Sequence, residues 1–207
     1  MKSTFCISLF WFTLFISQVN ETKALFYDQL SNQFDIEVAI RINATQNPDL
    51  DATYLRIRIF EKGSKTILQT IRKPRHWLFD TFYTDKSHSR SYSTNYNSDI
   101  PVVDDNFGDI VVADLNFDGR DDFAVTYDHG ADNGNHYYFY FQRPNKTFYR
   151  QVFLTEKMIH FPTDIDPVNK RITTRTTAGA FGVGVRTFQY NEVKNSWRIL
   201  SQRTIEF

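Results

Sequence analysis

Residues 110–127 have the sequence IVVADLNFDGRDDFAVTY, in which two apolar segments enclose an acidic loop. Five residues of the loop supply oxygen atoms at the spacing of a calcium loop: Asp114, Asn116, Asp118, Arg120 through its carbonyl group, and Asp122. Gly119 stands at the sixth position, where the chain must turn sharply. Because Ca²⁺ takes about six to eight oxygen ligands, this spacing predicts a calcium site. The alternative is an acidic turn without metal, since Asn, Asp and Gly are also the usual turn residues.

The segments on either side distinguish this loop from an EF-hand. An EF-hand carries a Glu at its twelfth position and lies between two helices, whereas the twelfth position here is Val125. Residues 110–113 and 123–127 are rich in β-branched and aromatic side chains, which predicts a strand on each side. The sequence therefore predicts a strand–loop–strand calcium site.

The remainder of the chain alternates apolar and polar residues with a period of two, which is typical of strands. The alternating or strand-like segments are residues 34–42, 54–59, 66–71, 137–141, 147–153, 171–177, 185–190 and 196–205. No segment shows a helical period, and residues 84–107 are predicted to form a long loop. Short connections between successive strands favour antiparallel pairing. We therefore predict an all-β fold, either an antiparallel meander or a set of propeller-blade-like sheets. The calcium loop occurs once, which argues against a complete multi-blade propeller.

The N-terminus has the features of a secretion signal. Lys2 precedes an apolar run over residues 5–17, which is shorter than a membrane-spanning helix, and a peptidase site is expected after Ala24. We expect a signal peptide over residues 1–24, a single all-β calcium-binding domain over residues 25–207, and no membrane span after cleavage. The only cysteine, Cys6, lies in the signal peptide, so the mature chain has neither a thiol nor a disulfide.

The charge balance argues against nucleic acid as a partner. The chain has 24 Lys and Arg residues and 24 Asp and Glu residues, so it has no overall field that would attract a polyanion. Residues 72–76, with the sequence RKPRH, are a local basic exception. We interpret them as a solvated loop in preference to a binding patch.

The sequence contains no persuasive catalytic constellation. It lacks the Gly-x-Ser-x-Gly elbow, the HExxH helix and the phosphate-binding glycine loop, so we expect a protein that is not an enzyme. Asp104, Asp105 and Asp109 are interpreted as solvated residues or as an additional calcium oxygen, in preference to a glycosidase pair. The five histidines show no tight metal-binding spacing. The aromatic run at residues 137–141 is interpreted as a core strand in preference to a sugar-stacking platform.

Residues 108–119, with the sequence GDIVVADLNFDG, and the aromatic strand and glycine-rich hairpin that follow resemble a bacterial envelope family. That family is typified by a periplasmic immunity protein of a type IV secretion system, which neutralises a lysozyme-like, peptidoglycan-cleaving toxin. It is related in fold to periplasmic inhibitors of invertebrate-type lysozyme and carries an FG-GAP-like calcium loop. The resemblance is best over residues 109–197, and in residues 25–100 it is limited to the strand pattern and the hairpin sequence KTILQTI at 65–71. It implies calcium at the same five positions.

The resemblance implies a calcium-binding periplasmic inhibitor or immunity protein whose partner is a lysozyme-like peptidoglycan hydrolase. Such inhibitors insert a loop into the substrate cleft. The candidate loop residues are His129, Gly130 and Asp132 in residues 128–135, and Thr177, Gly179, Phe181 and Arg186 in or beside residues 176–184. Glycines let a loop enter a narrow cleft, and an Arg can pair with a carboxylate. Ordinary hairpin turns are the alternative interpretation of both loops.

The alternative function is a calcium-stabilised binding module of the cell envelope that recognises a glycan or a protein without catalysis. The single calcium loop and the aromatic strand motivate it. Both functions place the mature chain outside the inner membrane, in the periplasm or cell envelope. The sequence leaves the oligomeric state open.

Overall fold

The computed structural model describes residues 19–21, 24–43, 52–74, 83, 85–130 and 134–207. These residues form three β-sheets, which confirms the predicted all-β fold. The N-terminal sheet contains β1 (Val19–Glu21), β2 (Leu25–Tyr27), β3 (Phe34–Asn43), β4 (Ala52–Glu61) and β5 (Ile67–Pro74). β1 lies within the expected signal peptide and pairs with β3, from Val19 opposite Asn43 to Glu21 opposite Arg41. Signal cleavage stays a prediction, and residues 1–18 lie outside the described part of the chain.

The central and C-terminal sheets follow in chain order. The central sheet contains β6 (Ser89–Ser91), β7 (Ile110–Ala113), β8 (Asp122–Gly130), β9 (Gly134–Gln142) and β10 (Phe148–Arg150). The C-terminal sheet contains β11 (Asp164–Asp166), β12 (Arg171–Thr177), β13 (Gly182–Asn191) and β14 (Ser196–Glu206). Successive strands pair antiparallel in both sheets, as the meander prediction expects, except that β6 runs parallel to β7. β14 forms an edge of its sheet and is exposed at every residue except Trp197.

The central sheet is covered on both faces. Ile110 and Val112 point into a core shared with the N-terminal sheet, where Ile57 is fully buried. Val111 and Phe139 point into a second core shared with the C-terminal sheet. Successive side chains of a strand face opposite sides, so a strand that is buried on both sides has no polar face. This explains why residues 110–113 are continuously apolar.

The aromatic run at residues 137–141 belongs mainly to the core, as predicted. Tyr137, Phe139 and Phe141 are fully buried in the second core, and Tyr140 is buried in the first. Tyr138 is partly exposed. Burying a large apolar side chain contributes about 1.5–3 kcal/mol, so these residues are a major source of fold stability.

Three predicted segments differ from the structure. Residues 72–74, interpreted as part of a solvated loop, form the end of β5, and residues 75 and 76 lie outside the described residues. The strand predicted over residues 147–153 ends at Arg150, and a single π-helical turn follows at Leu154–Met158. Leu154 and Met158 are buried in the second core, and a single turn is too short to show a helical period in the sequence. The long loop predicted over residues 84–107 contains a short helical turn, Lys86–His88, and the strand β6.

Candidate functional site

The predicted calcium loop joins β7 to β8, two neighbouring antiparallel strands with Ile110 opposite Val125 and Ala113 opposite Asp122. The flanking structure is therefore strand–loop–strand, as predicted. Gly119 has φ +79°, a left-handed conformation that glycine adopts without strain, and Phe117 has φ +63°. The sharp turn thus occurs at the expected position.

The carboxylates of Asp114 and Asp122 accept hydrogen bonds from backbone N–H groups of the loop. The oxygens of Asp114 accept hydrogen bonds from the backbone N–H groups of Asp118 (3.0 Å) and Gly119 (2.9 Å). Asp122 is fully buried, and its Oδ2 accepts the N–H groups of Leu115 (3.1 Å) and Asn116 (3.3 Å). The side chains at positions one and nine therefore determine the path of the backbone between them.

Asp114 is half-buried and Asp122 is fully buried, so loss of water affects the pKa of both carboxyl groups. Burial raises the pKa of Asp114 above its usual range, although the N–H groups of Gly119 and Asp118 oppose the rise. Burial raises the pKa of Asp122 still more strongly, and the neighbouring charges of Asp118 and Asp114 add to it. A bound cation would favour the charged form of both carboxylates.

Two uncharged oxygens at the site are buried without a hydrogen-bond donor among the residues that the structure describes. They are Oδ1 of Asn116 and Oε1 of Gln142. Both residues line one cleft together with Asp118 and Arg120. A buried acceptor left unsatisfied costs about 1–3 kcal/mol, and a hard cation that takes oxygen ligands would relieve this cost. Both oxygens are therefore of the type that calcium takes as ligands.

Gln142 was not predicted as a site residue. It lies at the end of β9, and its N–H donates to Asp122 Oδ1 at 2.9 Å. Gln142 and Asp122 are 20 positions apart, and only the pairing of β8 with β9 brings them together. No local sequence pattern reveals such a contact.

Arg120 supplies a positive charge to the loop. Its guanidinium forms a salt bridge with Asp118, and its Nε donates to the Gln142 carbonyl at 3.4 Å.

Within the described part of the chain, no group of three or more His, Cys, Asp or Glu side chains has the geometry of a metal site. The five predicted ligands lie in one loop, and calcium binding there stays a prediction.

The three aspartates proposed as solvated residues or as an extra calcium oxygen do not lie at this loop. Asp109 is buried at the opposite end of β7, where its Oδ2 accepts the Tyr83 N–H at 2.7 Å. Burial raises its pKa to about 6. A Cβ added to Gly134 would lie 2.7 Å from the Asp104 carbonyl and 2.8 Å from the Asp105 Cβ, which places this pair at the far end of β8 and β9. Asp109 is therefore not a solvated residue, and none of the three lies beside the predicted calcium loop.

The first candidate partner loop is mostly strand. β8 extends through His129 to Gly130 and β9 begins at Gly134, while Asp132 lies outside the described residues. His129 Nδ1 is 2.6 Å from Oδ1 of Asn135, and Nδ2 of Asn135 donates to Oδ1 of Asn106 at 3.0 Å. Because Asn135 is fully buried, these contacts fix the ends of the two strands.

The second candidate loop contains a short helical turn, Gly179–Phe181. The turn lies between Thr177, the last residue of β12, and Gly182, the first residue of β13. Gly179 has φ +69°, and Phe181 is 80% exposed. Arg186 is not at the tip of this loop. Its Nη1 donates to the Lys157 carbonyl at 3.2 Å, so it lies against the π-helical turn.

The structure brings the two candidate loops to the same end of the molecule. Asp104 and Asp105, which contact Gly134 of the first loop, also line a groove of about 440 Å³ with Thr176 and Thr177 of the second. The nine residues of β8 separate this end from the calcium loop.

The structure also brings together histidines that showed no metal-binding spacing in the sequence. The rings of His136 and His160 are 5.1 Å apart, and Nδ1 of His136 is 3.3 Å from Oδ2 of Asp128. Burial, the neighbouring His136 and Arg186 lower the pKa of His160 to about 4, although its hydrogen bond to Asn135 opposes this. The two histidines are 24 positions apart, and only the tertiary fold makes them neighbours.

Comparisons with known proteins assign the chain to no family. No model of a known protein family matches the sequence, and no curated protein sequence matches it. One similar solved structure is that of a Xanthomonas type IV secretion system related protein, with 13% sequence identity and a TM-score of 0.49. The alignment covers 90% of this chain and 82% of that protein. Among the described residues, no helix has the length and apolar character needed to cross a membrane.

Proposed function

We propose that this chain is a calcium-stabilised, non-enzymatic protein of the cell envelope that inhibits a lysozyme-like peptidoglycan hydrolase. The observation that carries the proposal is the placement of both candidate loops beside Asp104 and Asp105 at one end of the molecule. The sequence resemblance over residues 109–197 supports the choice of partner. Calcium would act as a structural ion at the other end of β8.

The second loop has the properties of an inhibitory element. Phe181 projects into solvent, while its carbonyl accepts the N–H of Phe207 at 3.0 Å. The Ala178 N–H donates to the Gly182 carbonyl at 2.9 Å, which closes the base of the turn. A loop that is already ordered loses little entropy on binding, and exposed aromatic side chains are frequent anchors of interfaces. Phe181 is therefore the residue that we expect to enter a partner's cleft.

Peptidoglycan lysis by a panel of lysozyme-type hydrolases tests the proposal. We expect the mature protein to inhibit at least one hydrolase, and Phe181→Ala to weaken that inhibition at least tenfold, which corresponds to about 1.4 kcal/mol. Val193→Ala is the matched control because Val193 is also an exposed apolar turn residue, at the β13–β14 turn. Equal inhibition by Phe181→Ala and the unchanged protein would remove this loop from the interface. No inhibition across the panel would favour the second candidate function.

Thermal unfolding in calcium and in chelator tests the metal separately from the partner. A ligand at 100 times its Kd that binds only the folded state stabilises it by about 2.7 kcal/mol, so we expect calcium to raise the Tm by about 5–10 °C. Asp118→Ala should abolish this rise because it removes the side-chain ligand at position five. Asp99→Ala, at an exposed carboxylate outside the loop, should preserve it. An unchanged calcium response in Asp118→Ala would contradict the site assignment.

A binding module for a glycan or a protein is the second candidate function, and one surface favours it. The rings of Tyr127 and Tyr138 are stacked 4.2 Å apart on the central sheet. Lys73 and Arg150 both lie over Tyr138, at 5.5 and 5.2 Å from the ring centre. Burial and the nearby Arg150 lower the pKa of Lys73, as expected where two cations meet. A glycan-array signal that disappears in Tyr138→Ala and persists in Val193→Ala would support this function, and a signal unaffected by Tyr138→Ala would contradict it.

A further inference from the structure

We propose that a small cavity beside β6 binds the carboxylate group of a ligand with a short apolar stem, and that Arg90 is the residue that holds it. The cavity has a volume of about 140 Å³. It lies beside the end strand of the central sheet, next to the residues that precede β7, whereas the calcium loop follows β7. The inference goes beyond the proposed inhibitory function and does not depend on it.

Arg90 is a buried cation without a partner. It is only 6% exposed, yet among the described residues its guanidinium has neither a hydrogen-bond acceptor nor an ion pair. Its one recorded neighbour is the ring of Phe107, whose centre is 6.0 Å from Cζ. Arginine is almost never buried unless it is paired, because the lost water must be replaced by other acceptors. An anionic ligand would supply those acceptors.

The guanidinium can be reached from the cavity. Ser91 Oγ donates to the Leu30 carbonyl at 2.6 Å, on the side of the N-terminal sheet. Because side chains alternate along a strand, Arg90 faces the opposite side, where Phe107 lies. Arg90 and Phe107 both line the cavity. Nε is shut off from solvent, whereas neither Nη1 nor Nη2 is completely buried, so a ligand can contact these two terminal nitrogens.

The other walls add a hydrogen-bond donor and an apolar surface. Oδ1 of Asn106 accepts the Gly108 N–H and the Asn135 amide, both at 3.0 Å. This leaves Nδ2 of Asn106 as a donor that has no acceptor in the described part of the chain. Ile100 and Pro101, which are both exposed, form an apolar part of the lining. The cavity can therefore hold a polar end group and the apolar carbons next to it.

The charges favour a carboxylate over a phosphate or a sulfate. Among the described residues that line the cavity, Arg90 is the one arginine or lysine and Asp109 is the one acid. Asp109 does not pair with Arg90, since its Oδ2 accepts the Tyr83 N–H. Its carboxyl group would repel a dianion more strongly than a monoanion. The planar fork of a guanidinium also matches the two oxygens of a carboxylate.

The size of the cavity limits the ligand to an end group. Sites for whole small molecules span about 300–1,000 Å³, so a cavity of about 140 Å³ is too small for one. Two kinds of ligand have the required chemistry: a short free carboxylic acid, and the C-terminus of a peptide that ends in a small apolar residue.

Titration of the mature chain with propionate and with propionamide, at constant ionic strength, tests the site. The measurement is the shift of the backbone N–H resonances of Arg90, Asn106 and Gly108 by NMR. We expect propionate to bind at least about tenfold more tightly than propionamide, because only propionate forms charge-assisted hydrogen bonds. Inorganic phosphate should bind more weakly than propionate. Equal binding of propionate and propionamide, or tighter binding of phosphate, would overturn the carboxylate assignment.

Acetyl-alanine and its amide repeat the comparison for the end of a peptide. Tighter binding of acetyl-alanine than of propionate would identify a peptide C-terminus as the source of the carboxylate, and the reverse order would identify a free acid. The failure of propionate and acetyl-alanine alike to shift the three resonances would overturn the site itself.

Substitutions decide whether the binding belongs to this cavity. Arg90→Met keeps an apolar stem but removes the charge, so it should abolish propionate binding while thermal stability is unchanged or higher. Ile100→Glu, at a residue that is 48% exposed, adds a repelling charge to the lining and is the second variant if Arg90→Met does not fold. Val193→Glu makes the same change at a residue that is 98% exposed and outside the cavity, and should bind normally. Full propionate binding by folded Arg90→Met, or by Ile100→Glu in its place, would overturn the proposal.

Discussion

The buried carboxyl group of Asp109 makes the stability of the fold depend on pH. It directly precedes β7 and accepts the Tyr83 N–H, and the Tyr83 hydroxyl donates to the Thr126 carbonyl at 2.6 Å. Burial raises the pKa of Asp109 from 3.8 to about 6, because the charged form has lost its water. The folded chain therefore holds this proton over a pH range in which the unfolded chain has released it.

We predict that Asp109→Asn changes the pH dependence of stability. The stabilisation that the raised pKa provides is fully present below about pH 4 and is lost as pH rises through 6, at a total of about 3 kcal/mol. An Asn cannot ionise but can still accept the Tyr83 N–H, so the variant should lose this decrease. Urea unfolding at pH 4 and pH 7, in chelator, measures the difference between the two proteins. His160, whose lowered pKa acts in the opposite direction, is present in both and cancels. Identical pH profiles would contradict the prediction.

At the scale of the elements, the local features were predictable from the sequence. The calcium-like loop, its two flanking strands and β12 follow from turn residues and side-chain pattern, which depend on neighbours in the chain. Gly119 adopts the left-handed conformation that its loop position requires. The features that the sequence did not reveal depend on residues far apart in the chain. They are the pairing of β6 with β7, the hydrogen bond from Gln142 to Asp122, and the hydrogen bond from Tyr83 to Asp109.

The π-helical turn at Leu154–Met158 provides a test of an element that the sequence analysis missed. Leu154 is fully buried in the second core, and Val152, two residues earlier, is 49% exposed. We predict that Leu154→Ala lowers the free energy of unfolding by about 2–5 kcal/mol, because it leaves a cavity in packed surroundings. Val152→Ala should change it by less than about 0.5 kcal/mol. Chemical denaturation measures both, and equal effects would show that the turn does not anchor the core.

At the scale of the whole molecule, the central sheet lies between the two cores and contributes side chains to both. Its alternate side chains pack against the N-terminal sheet on one face and against the C-terminal sheet on the other. If the packing on one face of the central sheet is lost, the strands that support the packing on its other face are exposed to solvent. We therefore expect the two cores to unfold together.

The prediction can be tested with Ile57→Ala, which lies in the first core, and Trp197, which reports on the second. In a Trp77→Phe background, Trp197 is the only tryptophan of the expected mature chain. The Ile57 change should lower the unfolding free energy reported by Trp197 fluorescence by about 2–5 kcal/mol. Ile199→Ala, at a residue that is 43% exposed on β14, is the control. An unchanged Trp197 transition in Ile57→Ala would show that the cores unfold separately.

The exposed edge strand β14 has a consequence for the chain at high concentration. A long uncovered strand offers unpaired backbone groups to another copy and can seed ordered aggregates. Ile199, Leu200 and Ile205 would favour such stacking, but Arg198 and Arg203 are interspersed among them and are exposed. Like charges repel when identical strands lie in register, and these two arginines therefore act as gatekeepers that keep neighbouring copies apart.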